Sequence, residues 1–151
     1  MRRIASVAFA WAATTTLILA SPLAGCERAA GFTIADAQFQ PPFGGSGVGV
    51  GYFAIRSNKT DRIVKVSSTA AKTVEIHEMT MAGPVMSMPR RESVDLPAGK
   101  TIEFKPGGLH LMVFSPAETA PGATIPITIE LQSGLKQTVE FRAPKIGNQP
   151  N

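Results

Sequence analysis

Apolar and polar residues alternate along most of this chain with a period of two. The clearest case is residues 125–131, where four branched aliphatic side chains are each separated by a different residue type. A turn at Ser133-Gly134 leads into a second alternating segment that contains Val139 and Phe141. Successive side chains of a β-strand point to opposite faces. This period therefore predicts strands with one buried face.

Short alternating segments recur from residue 48 to residue 143, separated by turns rich in glycine and proline. No segment has a helical period and no internal repeat is present, so we expect an all-β chain folded as an antiparallel sandwich or barrel. Residues 27–48 are less regular. Phe32, Ile34 and Asp36-Ala37 predict a short first strand there, and the prolines and glycines that follow predict a loop.

The N-terminus has the parts of a secretory signal. Met1-Arg2-Arg3 is basic, and residues 4–25 carry no charge. The segment ends in Leu23-Ala24-Gly25-Cys26, which resembles the lipobox of bacterial lipoproteins, so we expect cleavage before Cys26 and lipidation of that residue. An ordinary cleaved signal, in which Cys26 is incidental, is the alternative. Both readings place the protein outside the cytoplasm, and the first makes it a membrane-anchored periplasmic lipoprotein.

Composition excludes several classes of protein. Among 151 residues there is one cysteine, which excludes a disulfide framework and an iron–sulfur cluster held by protein thiolates. From residue 27 onward 13 basic residues face 11 acidic ones, a surplus too small for a nucleic-acid partner. No motif places a nucleophile beside a histidine, so we do not expect an enzyme.

Candidate chemistry is concentrated in one part of the chain. Both histidines and five of the six methionines fall within 36 consecutive residues: His77, Met79, Met81, Met86, Met88, His110 and Met112. Methionine often fills gaps in protein cores, and packing is one explanation. Strand parity favours another. If Leu109, Leu111 and Val113 face the core, His110 and Met112 share the opposite face.

The same parity applies to the other candidate strand. With Val74 and Ile76 in the core, Glu75, His77, Met79 and Met81 lie on the opposite face, and Met86 and Met88 share a face after the turn. If these stretches meet, two imidazoles and several thioethers converge without a thiolate. Thioethers are soft, neutral ligands that suit copper(I), whereas zinc usually recruits cysteine or carboxylate.

The spacing His77-x10-Met88-x21-His110-x-Met112 resembles the signature of the periplasmic copper chaperone PCu(A)C family, as do the strings VEIHEMTMAGPVMSM and LPAGKTIEFKPGGLHLMVF around it. The resemblance implies a cupredoxin-like Greek-key β-barrel with one copper(I) near its surface, held by His77, Met88, His110 and Met112. It also implies delivery of copper to the copper-bearing subunit of cytochrome c oxidase, or to another copper-transfer protein. The C-terminal tail lacks histidine and methionine, so we expect a single site.

The resemblance leaves Met79, Met81 and Met86 outside the four-residue pattern. They are either secondary copper contacts or apolar rim packing. The expected organisation has four parts: a lipoprotein signal peptide (1–25), a lipidated N-terminus and linker (26–46), a copper-binding barrel (47–143) and a polar tail (144–151). A blue-copper electron carrier would need a cysteine ligand, and Cys26 lies outside the barrel. The remaining alternative is a non-catalytic β-sandwich binding lipoprotein without a metal.

Overall fold

Residues 31–144 are described by a computed structural model, and they are all-β, without a helix. The leader, Cys26 and residues 145–151 lie outside this part of the chain, as do the expectations that concern them. The strands described, in chain order, are β1 (Phe32–Gln40), β2 (Val48–Ser57), β3 (Asp61–Ser67), β4 (Ala71–Glu78), β5 (Thr80–Ala82), β6 (Val85–Ser87), β7 (Arg90–Arg91), β8 (Val94–Leu96), β9 (Thr101–Phe104), β10 (Leu109–Pro116), β11 (Thr124–Leu131) and β12 (Lys136–Arg142). Within residues 31–144 no helix is long and apolar enough to cross a membrane.

Ten of the described strands form one sheet. Nine of them follow the order β7-β4-β10-β2-β1-β12-β11-β3-β8, and β9 pairs with the C-terminal half of β2. Neighbours in the sheet are mostly distant in the sequence, as in a Greek key. The sheet curls into a nearly closed barrel, which brings β3 close to β4. The all-β barrel predicted from the sequence is confirmed. One pairing departs from the antiparallel expectation, because β1 runs parallel to β12.

The core of the barrel consists of residues that alternate along the strands as the sequence predicted. On β11, Ile125, Ile127, Ile129 and Leu131 are all buried. The ring of Phe53 stacks on Phe104, with ring centroids 4.1 Å apart. It also meets Phe141 edge-on at 5.6 Å, which ties β2, β9 and β12 together.

The first strand is longer than the sequence suggested. β1 has nine residues and pairs with β2 throughout most of its length, so the sheet begins at Phe32 and not at the expected barrel boundary of residue 47. The reason is a register shift between Ala35 and Gln38, where Asp36 has a φ of 53°. This bulge changes the parity of the strand. The core-facing Phe32 and Phe39 are therefore seven residues apart, and the alternation is hidden.

Candidate metal centre

The two histidines lie opposite each other on neighbouring strands. β4 and β10 pair antiparallel with His77 opposite His110, and the ring centroids are 6.2 Å apart. The buried apolar residues of the two strands, Ile76 and Leu111 among them, face the core. The imidazoles therefore lie on the other face of the sheet, as parity predicted. His110 is nevertheless only 6% exposed, which parity alone did not indicate.

Met112 lies on the same face of β10, two residues beyond His110. Its direct neighbours are Glu75 on β4 and Val50 on β2. The side chain of Met112 is half-buried. The thioether of Met112 therefore lies on the same face as the two imidazoles, two residues along β10 from His110.

A hairpin brings the third stretch to the same place. β4 continues into β5, and the returning chain forms β6 and β7. His77 lies opposite Arg90, and Thr80 lies opposite Ser87, so the register is unbroken between the two pairs. The backbone oxygen of Met88 is 3.1 Å from Nδ1 of His77. The three stretches that carry the candidate ligands His77, Met88, His110 and Met112 therefore meet.

The hydrogen bonds of His110 leave one nitrogen available. Its Nδ1 lies 2.9 Å from the backbone oxygen of Gly108 and can donate a hydrogen bond to it. A neutral imidazole that donates through Nδ1 keeps a lone pair on Nε2. A ligating histidine usually donates its other ring nitrogen to a carbonyl or carboxylate in this way. His110 thus has the arrangement of a ligand that binds through Nε2.

His77 is held on both sides. Its Nδ1 faces the Met88 oxygen at 3.1 Å, and its Nε2 faces Oε2 of Glu75 at 3.0 Å. Both partners are oxygen acceptors, whereas a neutral imidazole has one N–H. A metal that binds His77 has to replace one of these two contacts. The other oxygen of Glu75 lies 3.3 Å from Nη1 of Arg90, so the carboxylate is held from both ends.

Glu75 is the residue near this site to which sequence reasoning gave no role. Parity placed it on the same face as His77, and that placement was the only signal in the sequence. Its contact with Nε2 could not be foreseen, because that contact depends on side-chain conformations and on Arg90 arriving from β7.

The donor set favours a soft metal. Within residues 31–144 no three His, Cys, Asp or Glu side chains are grouped so that they could hold a metal ion. Thioethers on β10 and on the adjoining hairpin lie near the histidine pair as further donors. Thioether sulfur suits copper(I) better than zinc or a hard cation.

Two of the three additional methionines are largely exposed. Met81 is 63% exposed and Met86 is 57% exposed, although Met79 is half-buried. Met81 and Met86 lie directly opposite each other on the β5–β6 hairpin. For these two residues, packing does not explain the choice of methionine.

Comparison with known proteins places the chain in a family. The family model described as "Putative lipoprotein LpqE-like" matches residues 32–143. The chain belongs to this LpqE-like family. A protein described as a putative lipoprotein, from Leifsonia xyli subsp. xyli, is 27% identical over 99 residues, which is 63% of this chain. The match spans 60% of that relative's length.

Several solved structures have a similar fold. The copper-bound PCuAC domain from PmoF2 has a TM-score of 0.62 at 17% identity, over 76% of this chain and 93% of that one. An apo protein from Deinococcus radiodurans, solved in solution, has a TM-score of 0.56 at 19% identity, over 95% of this chain and all of the other. These similarities show that the LpqE-like chain has the PCuAC fold, which agrees with the cupredoxin-like barrel expected from the resemblance.

Proposed function

We propose that this protein is an extracytoplasmic metallochaperone that binds one copper(I) ion as cargo. The ligands are His77, Met88, His110 and Met112. The observation that carries the proposal is the cross-strand pair of imidazoles, with one thioether on the same strand and another on the adjoining hairpin. The PCuAC fold supports it, since one structure with that fold is described as copper-bound.

The oxidation state follows from the ligands. Thioethers are soft and uncharged, and they stabilise copper(I) relative to harder ions. Copper(I) has a filled d shell and needs no particular ligand-field geometry, so two imidazoles and two thioethers are an acceptable set. A thiolate ligand would be vulnerable to oxidation outside the cytoplasm, and this site uses none.

Transfer proceeds by ligand exchange and not by catalysis. Met88 is 48% exposed, whereas His110 is buried on a central strand. An acceptor ligand can therefore approach the copper from the Met88 side while the histidines still hold the ion. The histidines on the main sheet release the metal later. Each new bond to copper forms as an old one breaks, so the ion is not released to water. Neutral thioethers hold copper less strongly than thiolates, which favours a cysteine-containing acceptor.

The acceptor we propose is the dinuclear copper centre of cytochrome c oxidase, in its copper-bearing subunit, or another copper-transfer protein. The chain would act in the periplasm, anchored by lipid on Cys26. Membership in a family described as lipoproteins supports the anchor. An anchored carrier is confined to the layer near a membrane-bound acceptor, which raises its effective concentration there.

A direct test is copper transfer to a purified fragment of the oxidase subunit that carries the dinuclear centre. We expect the copper(I)-loaded protein to fill that centre at a rate that rises with the concentration of the fragment, because exchange needs a collision between the two proteins. Separation of the proteins followed by metal analysis measures the transfer.

The control is the same fragment with its copper-binding cysteines replaced by serine, which should receive no copper. If the loaded protein keeps its copper in the presence of the intact fragment, the proposed acceptor is wrong. If the protein binds no copper(I) at all, the alternative of a non-catalytic binding lipoprotein without a metal is correct.

A further inference from the structure

The hairpin that follows β4 carries a ladder of thioethers on one face. Thr80 lies opposite Ser87 and Met81 lies opposite Met86. Met79 and Met88 lie between these pairs and the pair of His77 with Arg90, and because the two paired segments share one register we infer that Met79 is opposite Met88. Side chains two residues apart on a strand share a face. The four methionines therefore share the face on which His77 lies.

The backbone hydrogen bonds indicate that the methionine pairs are non-hydrogen-bonded pairs, in which the two side chains lie closer together. The amide of Glu78 donates to the oxygen of Pro89 at 3.2 Å, so that pair is hydrogen-bonded. Hydrogen-bonded and non-hydrogen-bonded pairs alternate along an antiparallel ladder, and the latter have Cα atoms only about 4.5 Å apart. Met79 with Met88, and Met81 with Met86, are both of the latter type. The amide of Met79 is consistent with this type, because it donates to the backbone oxygen of Gly108, just before β10, and not to Met88.

Exposure rises from the histidines toward the tip of the hairpin. His110 is buried and His77 is nearly so, Met79 is half-buried, and the pair at the tip is the most exposed. Successive rungs are two residues apart, about 6.6–6.8 Å along the strand. Flexible methionine side chains can span part of that distance. The ladder thus places soft donors at successive positions between solvent and the histidine pair.

Packing does not account for the tip. β5 and β6 pair only with each other among the described strands, and the thioethers there contribute little to the core. If an exposed apolar pair were all that this position required, leucine would serve equally well and has better-defined side-chain conformations. Thioether sulfur at both Met81 and Met86 is explained if the pair binds a soft metal ion, which leucine side chains cannot bind.

We propose that Met81 and Met86 together form a second, weaker site for copper(I), through which the ion enters and leaves the histidine site by way of Met79 and Met88. The ligand class is a soft monovalent d¹⁰ cation. Copper stays in the +1 state throughout, and at each step one bond to a neutral donor forms while another breaks. This inference rests on the proposed function for the direction of transfer, but the binding at the tip can be tested separately.

The test uses protein labelled with ¹³C at the methionine methyl groups and titrated with Ag(I), a redox-stable probe of the same class. We expect the first equivalent to shift the methyl signals of Met88 and Met112 and the second to shift those of Met81 and Met86. In the variant His77→Ala/His110→Ala, which lacks the imidazole pair, the Met81 and Met86 signals should still shift.

A matched pair of variants tests the transfer role. Met81→Leu/Met86→Leu removes both tip sulfurs at nearly constant volume, and should leave the first equivalent and its affinity unchanged while slowing copper(I) exchange with an external acceptor. Val85→Leu, at a position 62% exposed on the same hairpin, is the control and should exchange at the wild-type rate.

Each outcome is decisive for one proposal. Unshifted Met81 and Met86 signals in an excess of Ag(I), or a wild-type exchange rate in the double leucine variant, would overturn the tip site. Shifts at the tip without shifts at Met88 and Met112 would instead overturn the histidine site and leave the tip as a metal-binding site in its own right.

Discussion

Replacement of both histidines, His77→Ala/His110→Ala, is expected to abolish the tight binding of copper(I). The two imidazoles are the only nitrogen ligands in the proposed set, and His110 is held on a central strand with its Nε2 available. Without them copper can use only thioethers, which bind it weakly. Titration against a coloured copper(I) chelator should show one equivalent taken by the wild type and none by the variant.

A conservative variant separates loss of ligand from loss of fold. Met112→Leu removes the sulfur at nearly constant volume, so we expect weaker copper(I) affinity and a loss of stability below about 1.5 kcal/mol, the usual limit for swaps of this kind. Urea denaturation of the metal-free wild type, the double histidine variant and Met112→Leu establishes that each is folded. If the double histidine variant competes with the chelator as well as the wild type does, the imidazoles are not ligands.

Phe104→Ala should cost about 3–5 kcal/mol of the free energy of unfolding, the range found for large aromatic truncations in cores. Phe104 is buried on β9, which pairs with β2 alone among the described strands, and its stacking on Phe53 is part of that attachment. Removal of the ring leaves a cavity beside Phe53. The loss should appear as a lower midpoint in urea denaturation.

Phe43→Ala is the matched control for that measurement. Phe43 is 94% exposed in the loop between β1 and β2, and substitutions at such positions usually change stability by no more than about 0.5 kcal/mol. Equal destabilisation by the two variants would mean that the stacked pair is not part of the core.

The sequence was most informative where strands are regular. β11 and β12 alternate without interruption, and the buried residues of β11 are those that the pattern indicated. β1 was underestimated because the bulge near Asp36 shifts its parity, and a one-residue shift erases a period of two. The pairing of β1 with β12 joins distant parts of the chain, and no local pattern encodes it.

For the candidate site, strand parity predicted which face of the sheet each side chain lies on, but not that the strands are neighbours. His77 and His110 could be assigned to the non-core face from their neighbours alone, whereas their direct opposition depends on the register between β4 and β10. The resemblance to the PCu(A)C signature supplied that step as an expectation. The burial of His110 and the contact of Glu75 with His77 arise from surrounding side chains, which a one-dimensional pattern does not describe.

X-ray absorption spectroscopy at the copper edge of the protein loaded with one equivalent of copper(I) tests the proposed ligand set most directly. We predict a shell that contains both imidazole nitrogen and thioether sulfur, and a loss of sulfur scattering in Met88→Leu/Met112→Leu. A shell made of nitrogen and oxygen alone, unchanged by that double substitution, would contradict it.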